Sequence, residues 1–453
     1  IGGFLWVLAD EGVKRVDMDG FIDNQGNFGA DGIVGPHHEK EGSYYTIKQL
    51  WSPVQVMNTA IDRNFDGKLS VENRYDYLNL NTCRFIWQQV KFPSVTDASN
   101  TTTRILKQGE VQGSDVAAHG VGVVDIKTSI LPEADALFLT VIDKYGYELW
   151  RWTFPVDKLN RETEQFSASS GRASYTETEK GITVKANGRT FVFSKKDGQL
   201  KDVSVNNRKI SFANGPRFIG ARRADRSLDQ FYNHDDEKAK AKDRTYSEFT
   251  DAAVFTKLDV KEEGGNLILT ANYKLGNLDK AQWTIHPDGM ATLDYTYNFS
   301  GVVDLMGICF DYPEEQVLSK RWLGAGPYRV WQNRIHGTQY DIWENDYNDP
   351  IPGETFTYPE FKGYFGSVSW MSIRTKEGTI SLTNETPDSY IGVYQPRDGR
   401  DRLLYTLPES GISVLNVIPP VRNKVNSTDL CGPSSQPKWV DGSQTGRLVI
   451  RFE

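Results

Sequence analysis

Acidic residues near the start of the chain are the first candidates for chemistry. Asp10 and Glu11 follow directly after the apolar residues 4–8, a run that is typical of a buried strand. Glycoside hydrolysis needs a pair of carboxyl groups, and barrel enzymes place such groups at the carboxyl ends of strands. The chain holds 60 Asp and Glu residues, so the sequence does not identify a pair. A solvated exit from the strand explains Asp10 and Glu11 equally well.

A second acidic stretch, "DRNFDGKLSVEN" (residues 62–73), matches the start of a calcium-binding loop. Asp62, Asn64, Asp66 and Gly67 occupy its first, third, fifth and sixth positions. The twelfth position, which usually supplies a bidentate glutamate, is Asn73, and the flanking residues are strand-like rather than helical. We therefore interpret this stretch as a polar turn between strands.

The composition indicates a globular, β-rich protein and argues against several classes of partner. Of 453 residues, 38% are hydrophobic and 25% charged, which is typical of a folded chain, and no apolar run approaches a membrane span. The net charge is −8 without a dense basic block, so a nucleic-acid partner is not expected. Three widely separated cysteines indicate neither a disulfide framework nor a zinc site. Aromatic residues make up 12%, which suits large β-sandwiches and also proteins that stack sugars on indole rings.

The chain divides into segments with different periodicity. Residues 1–51 predict one β/α unit, with a strand at residues 3–7, a loop rich in Gly, Asn and Asp, and a helix that Ser43 would cap. Residues 52–158 change to period-two alternation between turn residues, which predicts an immunoglobulin-like β-sandwich. Residues 159–171 are polar without periodicity, so we expect a linker there.

Residues 172–453 show many short strands joined by hairpin signals. Asn187-Gly188 lies between "ITVKA" and "RTFVFS", and both Asp197-Gly198 and Pro287-Asp288-Gly289 divide similar pairs of runs. Asn-Gly and Asp-Gly supply the positive φ angles that tight hairpins need. Repeated over this length with few helical stretches, the pattern predicts one large antiparallel β-sandwich.

The order of these segments resembles the C-terminal part of the family-two glycoside hydrolases, above all the large β-galactosidases. The matching runs are "GGFLWVLADEG", "GNFGADGIV", "YYTIKQLWSPV", "VENRYDYLNLNTCRFIWQ", "NGPRFIGARRADRS", "KRWLGAGPYRVWQNR" and "YPEFKGY". The sixth run corresponds to the family signature W-x-G-x-GP-x-x-x-x-x-x-R. The resemblance covers essentially the whole chain. It implies a mainly β fold with the last β/α unit of an incomplete TIM barrel, an immunoglobulin-like sandwich and a large, galactose-mutarotase-like sandwich.

The resemblance also implies where the catalytic residues lie. Residues 2–7 would form the eighth strand of a (β/α)₈ barrel, so most of that barrel would precede this chain. The nucleophile and acid/base glutamates of the family both lie upstream of the matching strand. The parent would be an exo-acting, retaining β-glycosidase that forms a covalent glycosyl-enzyme. This chain by itself would then be inactive.

Part of the sugar pocket would remain in this chain. Trp6 matches the pocket tryptophan of the family, whose indole packs against the C–H face of the sugar. Phe28 and Asp31 match the loop that holds a monovalent cation beside the sugar, through a backbone carbonyl and a side-chain oxygen. Asp31 stands where some members have Asn, and Leu8 replaces a second tryptophan. The resemblance implies no cofactor in this chain and Mg or Na/K ions in the parent.

Departures from the family pattern leave the sugar open. Arg329-Val330-Trp331 replaces the usual Glu-Asn-Tyr after the Gly-x-Gly-Pro run. A guanidinium binds a sugar carboxylate well, so a relative that recognises a β-uronide through Arg329 is an alternative to a β-galactosidase. The other role open to Arg329 is a structural salt bridge. The late loop that supplies a pocket tryptophan in some members reads "CGPSSQPKW" (residues 431–439) here. The sequence does not place Trp439 in that pocket.

Two further classes of function remain open from the sequence. The large sandwich could serve as a carbohydrate-binding module, or it could buttress a barrel and form contacts in a homo-oligomer. The expected partner is a carbohydrate with a terminal β-linked sugar, galactose under the leading hypothesis. The relatives imply a bacterial periplasmic or extracellular location.

Overall fold

A computed structural model describes residues 3–23, 32–35, 37–97, 102–156, 171–223, 246–249, 252–346, 363–393, 408, 410–420 and 432–453. The architecture is mainly β with antiparallel sheets, which confirms the predicted fold class. Within these ranges, every helix is too short or too polar to span a bilayer.

The N-terminal segment forms a small hairpin and one helix. Strands β1 (Val13–Arg15) and β2 (Phe21–Asp23) pair antiparallel, and helix α1 spans Gly42–Leu50. The predicted helix is confirmed, but its N-cap is Glu41 rather than Ser43. The predicted strand at residues 3–7 is not formed; only Ala9 makes a parallel bridge, to Val34. A strand needs a neighbour along its whole length to pair its backbone groups, and the described residues supply one only at this bridge.

A small sandwich follows, built from seven strands in two sheets around one core. This three-plus-four arrangement is the one expected for an immunoglobulin-like domain. The strands of the first sheet, in order, are β3 (Val54–Val56), β4 (Lys68–Asn73) and β7 (Val121–Asp125). Those of the second are β6 (Arg104–Gln112), β5 (Arg84–Lys91), β8 (Ala136–Ile142) and β9 (Glu148–Pro155).

The large sandwich consists of an eleven-stranded and a nine-stranded sheet, and every strand pairing in both is antiparallel. The eleven-stranded sheet contains β10 (Ser174–Glu177), β11 (Gly181–Ala186), β12 (Arg189–Ser194), β13 (Leu200–Val205), β14 (Arg208–Ile210), β15 (Ala213–Arg223), β16 (Tyr246–Glu248), β21 (Leu305–Asp311), β24 (Phe365–Gly366), β27 (Tyr390–Val393) and β28 (Ile412–Val417). The nine-stranded sheet contains β17 (Val254–Glu263), β18 (Asn266–Lys274), β19 (Leu278–Ile285), β20 (Ala291–Val303), β22 (Val317–Gly326), β23 (Gln339–Asp346), β25 (Trp370–Thr375), β26 (Thr379–Asn384) and β29 (Lys438–Phe452).

The hairpin predicted at Asn187-Gly188, the shortest of the three turns, is confirmed. Asn187 and Gly188 have φ angles of 42° and 76° and join β11 to β12 directly. Five residues, 195–199, separate β12 from β13, and of the pair Asp197-Gly198 only the glycine has positive φ. Gly289, with φ of 88°, turns the chain between β19 and β20.

The signature around Trp322 is explained by close packing inside the large sandwich. Trp322 is fully buried, donates its indole N–H to the Ala325 carbonyl at 3.0 Å and meets the Phe365 ring edge-on at 4.8 Å. A Cβ on Gly326 would lie 2.3 Å from Trp343 Cδ1, a separation no side chain tolerates. The motif glycine therefore serves packing within the sandwich.

Apolar and polar contacts join the small sandwich to the large one. Phe92 and Phe138 share a buried cluster with Leu323 and Trp370 of the large sandwich. The Tyr340 backbone N–H donates to Thr153 Oγ1 at 2.7 Å. Because the interface combines a desolvated core with directed hydrogen bonds, the two sandwiches hold a defined orientation.

The acidic stretch at residues 62–73 begins as a polar turn, as predicted, and continues into strand β4 at Lys68. Asp62 Oδ1 accepts the Asn64 backbone N–H at 2.8 Å, and Asp66 Oδ1 accepts that of Lys68 at 3.0 Å. Asn73 is fully buried and donates its amide to the Leu78 and Val116 carbonyls. The three side chains therefore fix backbone geometry.

Candidate functional site

Helix α1 docks on the loop that follows strand β22, which we call the junction loop (residues 327–338). The Tyr45 ring packs on Tyr328 with a centroid separation of 4.8 Å. Thr46 Oγ1 donates to the His336 carbonyl at 2.8 Å, and the Gly337 N–H donates to Gln49 Oε1 at 2.6 Å. One face of the N-terminal segment is thus fixed to the large sandwich.

The junction loop also holds the late segment, residues 432–436. Gln332 Nε2 donates to the carbonyls of Ser434 and Gln436 at 2.9 and 2.7 Å, and Asn333 Nδ2 donates to Ser435 Oγ at 3.0 Å. The sequence leaves open whether the late loop reaches the sugar pocket; these bonds place its described part beside the junction loop. Trp439, just beyond it, lies in strand β29 with its side chain 69% exposed. The junction loop therefore brings together three segments that are remote in sequence.

Two carboxyl groups are buried together where the N-terminal segment meets α1. Asp10 and Glu41 are each only 7% exposed. Asp10 Oδ1 accepts the Gly32 N–H at 2.8 Å, and the Asp10 N–H donates to the Val34 carbonyl at 2.9 Å. The pKa of Glu41 is raised to about 8, chiefly by burial and then by the charge of Asp10 and a hydrogen bond to it, while Arg334 acts in the opposite direction. The pair therefore retains a proton at neutral pH.

Of these two carboxyl groups, the sequence identifies only Asp10, whose position after an apolar run is a strand-end signal. Glu41 carries no such signal, since its burial follows from α1 folding back towards Asp10. Its place directly before the Gly42-Ser43 start of the helix is the one feature that sequence reasoning could have used. Glu11, the neighbour of Asp10, is exposed.

The four predicted site residues fall in different environments. Trp6 is 85% exposed, whereas Arg329 is only 6% exposed and makes its interactions inside the protein. Phe28 and Asp31, predicted as cation and sugar ligands, lie outside the described residues. Their roles, like those of Trp6 and Arg329, stay predictions.

The described ranges contain no cluster of three or more His, Cys, Asp or Glu side chains that could hold a metal ion. The buried carboxyl pair, which holds a proton at neutral pH, consists of two such side chains.

We expect Glu41→Gln to remove a pH-dependent loss of stability. The unfolded chain releases the Glu41 proton near the ordinary pKa of 4.5, while the folded chain keeps it up to about pH 8. The folded state thus binds more protons between these values, so stability falls as the pH rises through this window. Glutamine cannot ionise, so the variant should exceed the wild type by at least about 2 kcal/mol at about pH 9 and match it near pH 4. Urea denaturation at these pH values measures the difference.

The exposed Glu11→Gln change is the matched control, because it removes one carboxylate next to Asp10 without touching the buried pair. A decline of stability with pH that persists unchanged in Glu41→Gln would show that another group is responsible.

Comparisons with known proteins converge on one enzyme name. The family described as the beta galactosidase small chain matches residues 185–415. A beta-galactosidase of Priestia megaterium (strain DSM 319 / IMG 1521) is 21% identical over 421 residues, covering 85% of this chain and 38% of that protein. A beta-galactosidase of Staphylococcus xylosus is 21% identical over 427 residues, covering 86% and 40%. The chain spans about two fifths of the length of these curated relatives.

Among solved structures, a galactose 1-epimerase from Lactobacillus acidophilus NCFM matches with a TM-score of 0.36 and 9% identity. The match covers 63% of this chain and 99% of that one. A similarity at this level carries no argument about the function of the chain.

Proposed function

Because the chain belongs to the beta-galactosidase small-chain family, we propose that it is the C-terminal part of an exo-acting, retaining β-galactosidase. In this proposal residues 1–51 complete a catalytic barrel whose two glutamates lie upstream. Residues 52–158 and 172–453, joined by the linker at 159–171, are the two sandwiches. The parent cleaves a terminal β-linked sugar by double displacement through a covalent glycosyl-enzyme.

The observation that carries the proposal is the exposure of large apolar side chains in the N-terminal segment. Eight such side chains are exposed within residues 4–21, although apolar residues of the two sandwiches pack into continuous cores. They are Phe4, Leu5, Trp6, Leu8, Val13, Val16, Met18 and Phe21. Large apolar side chains exposed in such number within a short segment are typical of a surface that another part of a protein covers, and the preceding barrel residues of the parent would cover them.

Trp6 is the residue of this surface that we assign to the sugar pocket. Its indole is available for stacking, and it lies four residues before Asp10, which is anchored to Gly32 and Val34. The Asp10–Glu41 pair and the docked helix α1 would hold the segment that carries Trp6 in a fixed position against the barrel. In this proposal Phe28 and Asp31, which lie between Asp10 and helix α1 in the sequence, supply the ligands of the bound cation.

Burial of Arg329 favours the galactoside over the uronide alternative. A guanidinium that recognises a sugar carboxylate must be reachable from the pocket, yet Arg329 is 94% buried and already engaged within the protein. Its position beside Tyr328 on the junction loop supports a structural role. The uronide alternative therefore has less support than the galactoside.

Hydrolysis of nitrophenyl glycosides tests the proposal. We expect a protein that includes the preceding barrel residues to cleave nitrophenyl β-galactoside and to cleave the β-glucuronide poorly. The 453-residue chain alone should be inert, because both catalytic glutamates would be missing. Turnover by the purified chain at a rate above the buffer control would refute the proposed division of the active site.

A further inference from the structure

A cleft of about 530 Å³ lies where the small sandwich meets the large one. One wall is the turn at residues 60–62 with the end of strand β9, and the other is formed by residues 367–369 and 384–390. The cleft shares no lining residue with the junction loop or the N-terminal segment. Its volume is within the range of small-molecule sites, which often lie at such interfaces.

Among the residues that the structure describes, every charged side chain that lines this cleft is a carboxylate, namely Asp62, Glu385 or Asp388. An anionic ligand would be repelled by Asp62 and Asp388, while the charge of Glu385 is offset by Arg447, whose Nε lies 3.2 Å from Glu385 Oε2. Carboxylates accompanied by hydroxyl side chains, here that of Ser367 among others, accept hydrogen bonds from ligand hydroxyl groups. This chemistry suits a neutral molecule with many hydroxyls.

The remaining lining is apolar and suits the carbon skeleton of such a molecule. Ile61 and Val156 lie on the wall of the small sandwich, and Pro387 and the half-buried Tyr390 ring lie on the facing wall. A sugar ring presents hydroxyls at its rim and C–H groups on its faces, so it uses both kinds of lining at once.

The cleft is fixed before any ligand arrives. The Tyr340 side chain lies at its base, with its hydroxyl 2.5 Å from Ser369 Oγ and its ring 5.6 Å from that of Phe92 in the small sandwich. The Tyr340 backbone is bonded to Thr153 of the same sandwich. A site held this firmly loses little conformational freedom on binding.

From this lining and this rigidity we propose that the interface cleft binds a neutral saccharide of one or two units. It is a second carbohydrate site, separate from the pocket assigned to Trp6, and it does not depend on the proposed hydrolysis. A site of this kind would hold an oligosaccharide near the enzyme without cleaving it.

Titration calorimetry of the 453-residue chain with galactose, lactose and cellobiose tests this inference, with glucuronate as the charged comparator. We expect at least one neutral sugar to bind with a Kd of about 0.1–10 mM and glucuronate to bind about tenfold more weakly. Ala60→Trp would fill the cleft from its exposed rim and should weaken binding at least about tenfold.

Two further variants test whether the sugar binds in the cleft itself. Ala117→Trp, at an exposed alanine outside the cleft, is the matched control and should bind normally. Asp388 has a φ of 47°, which asparagine tolerates, so Asp388→Asn removes the charge with the backbone retained and should weaken binding about threefold to fivefold. The inference is overturned if no sugar binds at about 50 mM, if binding survives both Ala60→Trp and Asp388→Asn, or if Trp6→Ala abolishes it.

Discussion

Replacing Gly337 with alanine is expected to release helix α1 from the large sandwich. Gly337 has a φ of 87°, and a Cβ there would lie 2.4 Å from the Thr46 backbone nitrogen and 2.7 Å from the Tyr45 carbonyl carbon. The positive φ alone costs about 1–2 kcal/mol. The clash involves backbone atoms, which cannot rotate away. The total loss in the free energy of unfolding should therefore reach about 3 kcal/mol or more. Hydrogen exchange of the α1 amides measures the release.

Gly146→Ala is the matched control for this change. Gly146 has nearly the same φ, 90°, but a Cβ there meets no atom within 4 Å. It should therefore show the backbone strain without the clash, and leave exchange in α1 unchanged. Equal losses in the two variants, with α1 still protected in Gly337→Ala, would contradict the docking that we describe.

The sequence predicts best those parts of the fold whose physics is local. Period-two alternation predicts the strands of both sandwiches because each residue of a strand either faces a core or does not. Asn187-Gly188 predicts its hairpin because two positive φ angles are a property of those two residues. The glycines of the Trp322 signature match the family pattern, and the packing of Gly326 against Trp343 supplies their reason.

Features that depend on distant partners escape prediction from sequence. Residues 3–7 have the pattern of a strand, but a strand forms only where a neighbour pairs with it. The Asp10–Glu41 pair, the bonds from Gln332 to the late segment and the interface cleft all join residues far apart in the chain. No local periodicity encodes such contacts, so they are found only once the fold is known.

Trp6→Ala is the second change with a large expected effect, and it acts on activity rather than on stability. Trp6 is 85% exposed in this chain, so its removal should leave the fold intact. In the proposed parent the indole would cover one face of the sugar in the pocket. Its loss should lower kcat/KM by about 100-fold, or about 2.7 kcal/mol. Trp6→Phe, which keeps an aromatic face, should retain most of the wild-type kcat/KM.

Tyr77→Ala provides the control, since Tyr77 is an aromatic residue of comparable exposure, 93%, in the small sandwich. The change should leave kcat/KM within about twofold of the wild type, because the side chain contacts neither the N-terminal segment nor the proposed pocket.

The kcat/KM of the parent protein on nitrophenyl β-galactoside, with and without Trp6→Ala, tests the central claim most directly. We predict a loss of about 100-fold for Trp6→Ala and no loss for Tyr77→Ala, with an unchanged unfolding transition of the 453-residue chain for both, since both side chains are exposed there. A Trp6→Ala enzyme that retains wild-type kcat/KM would show that the N-terminal segment of this chain does not line the sugar pocket.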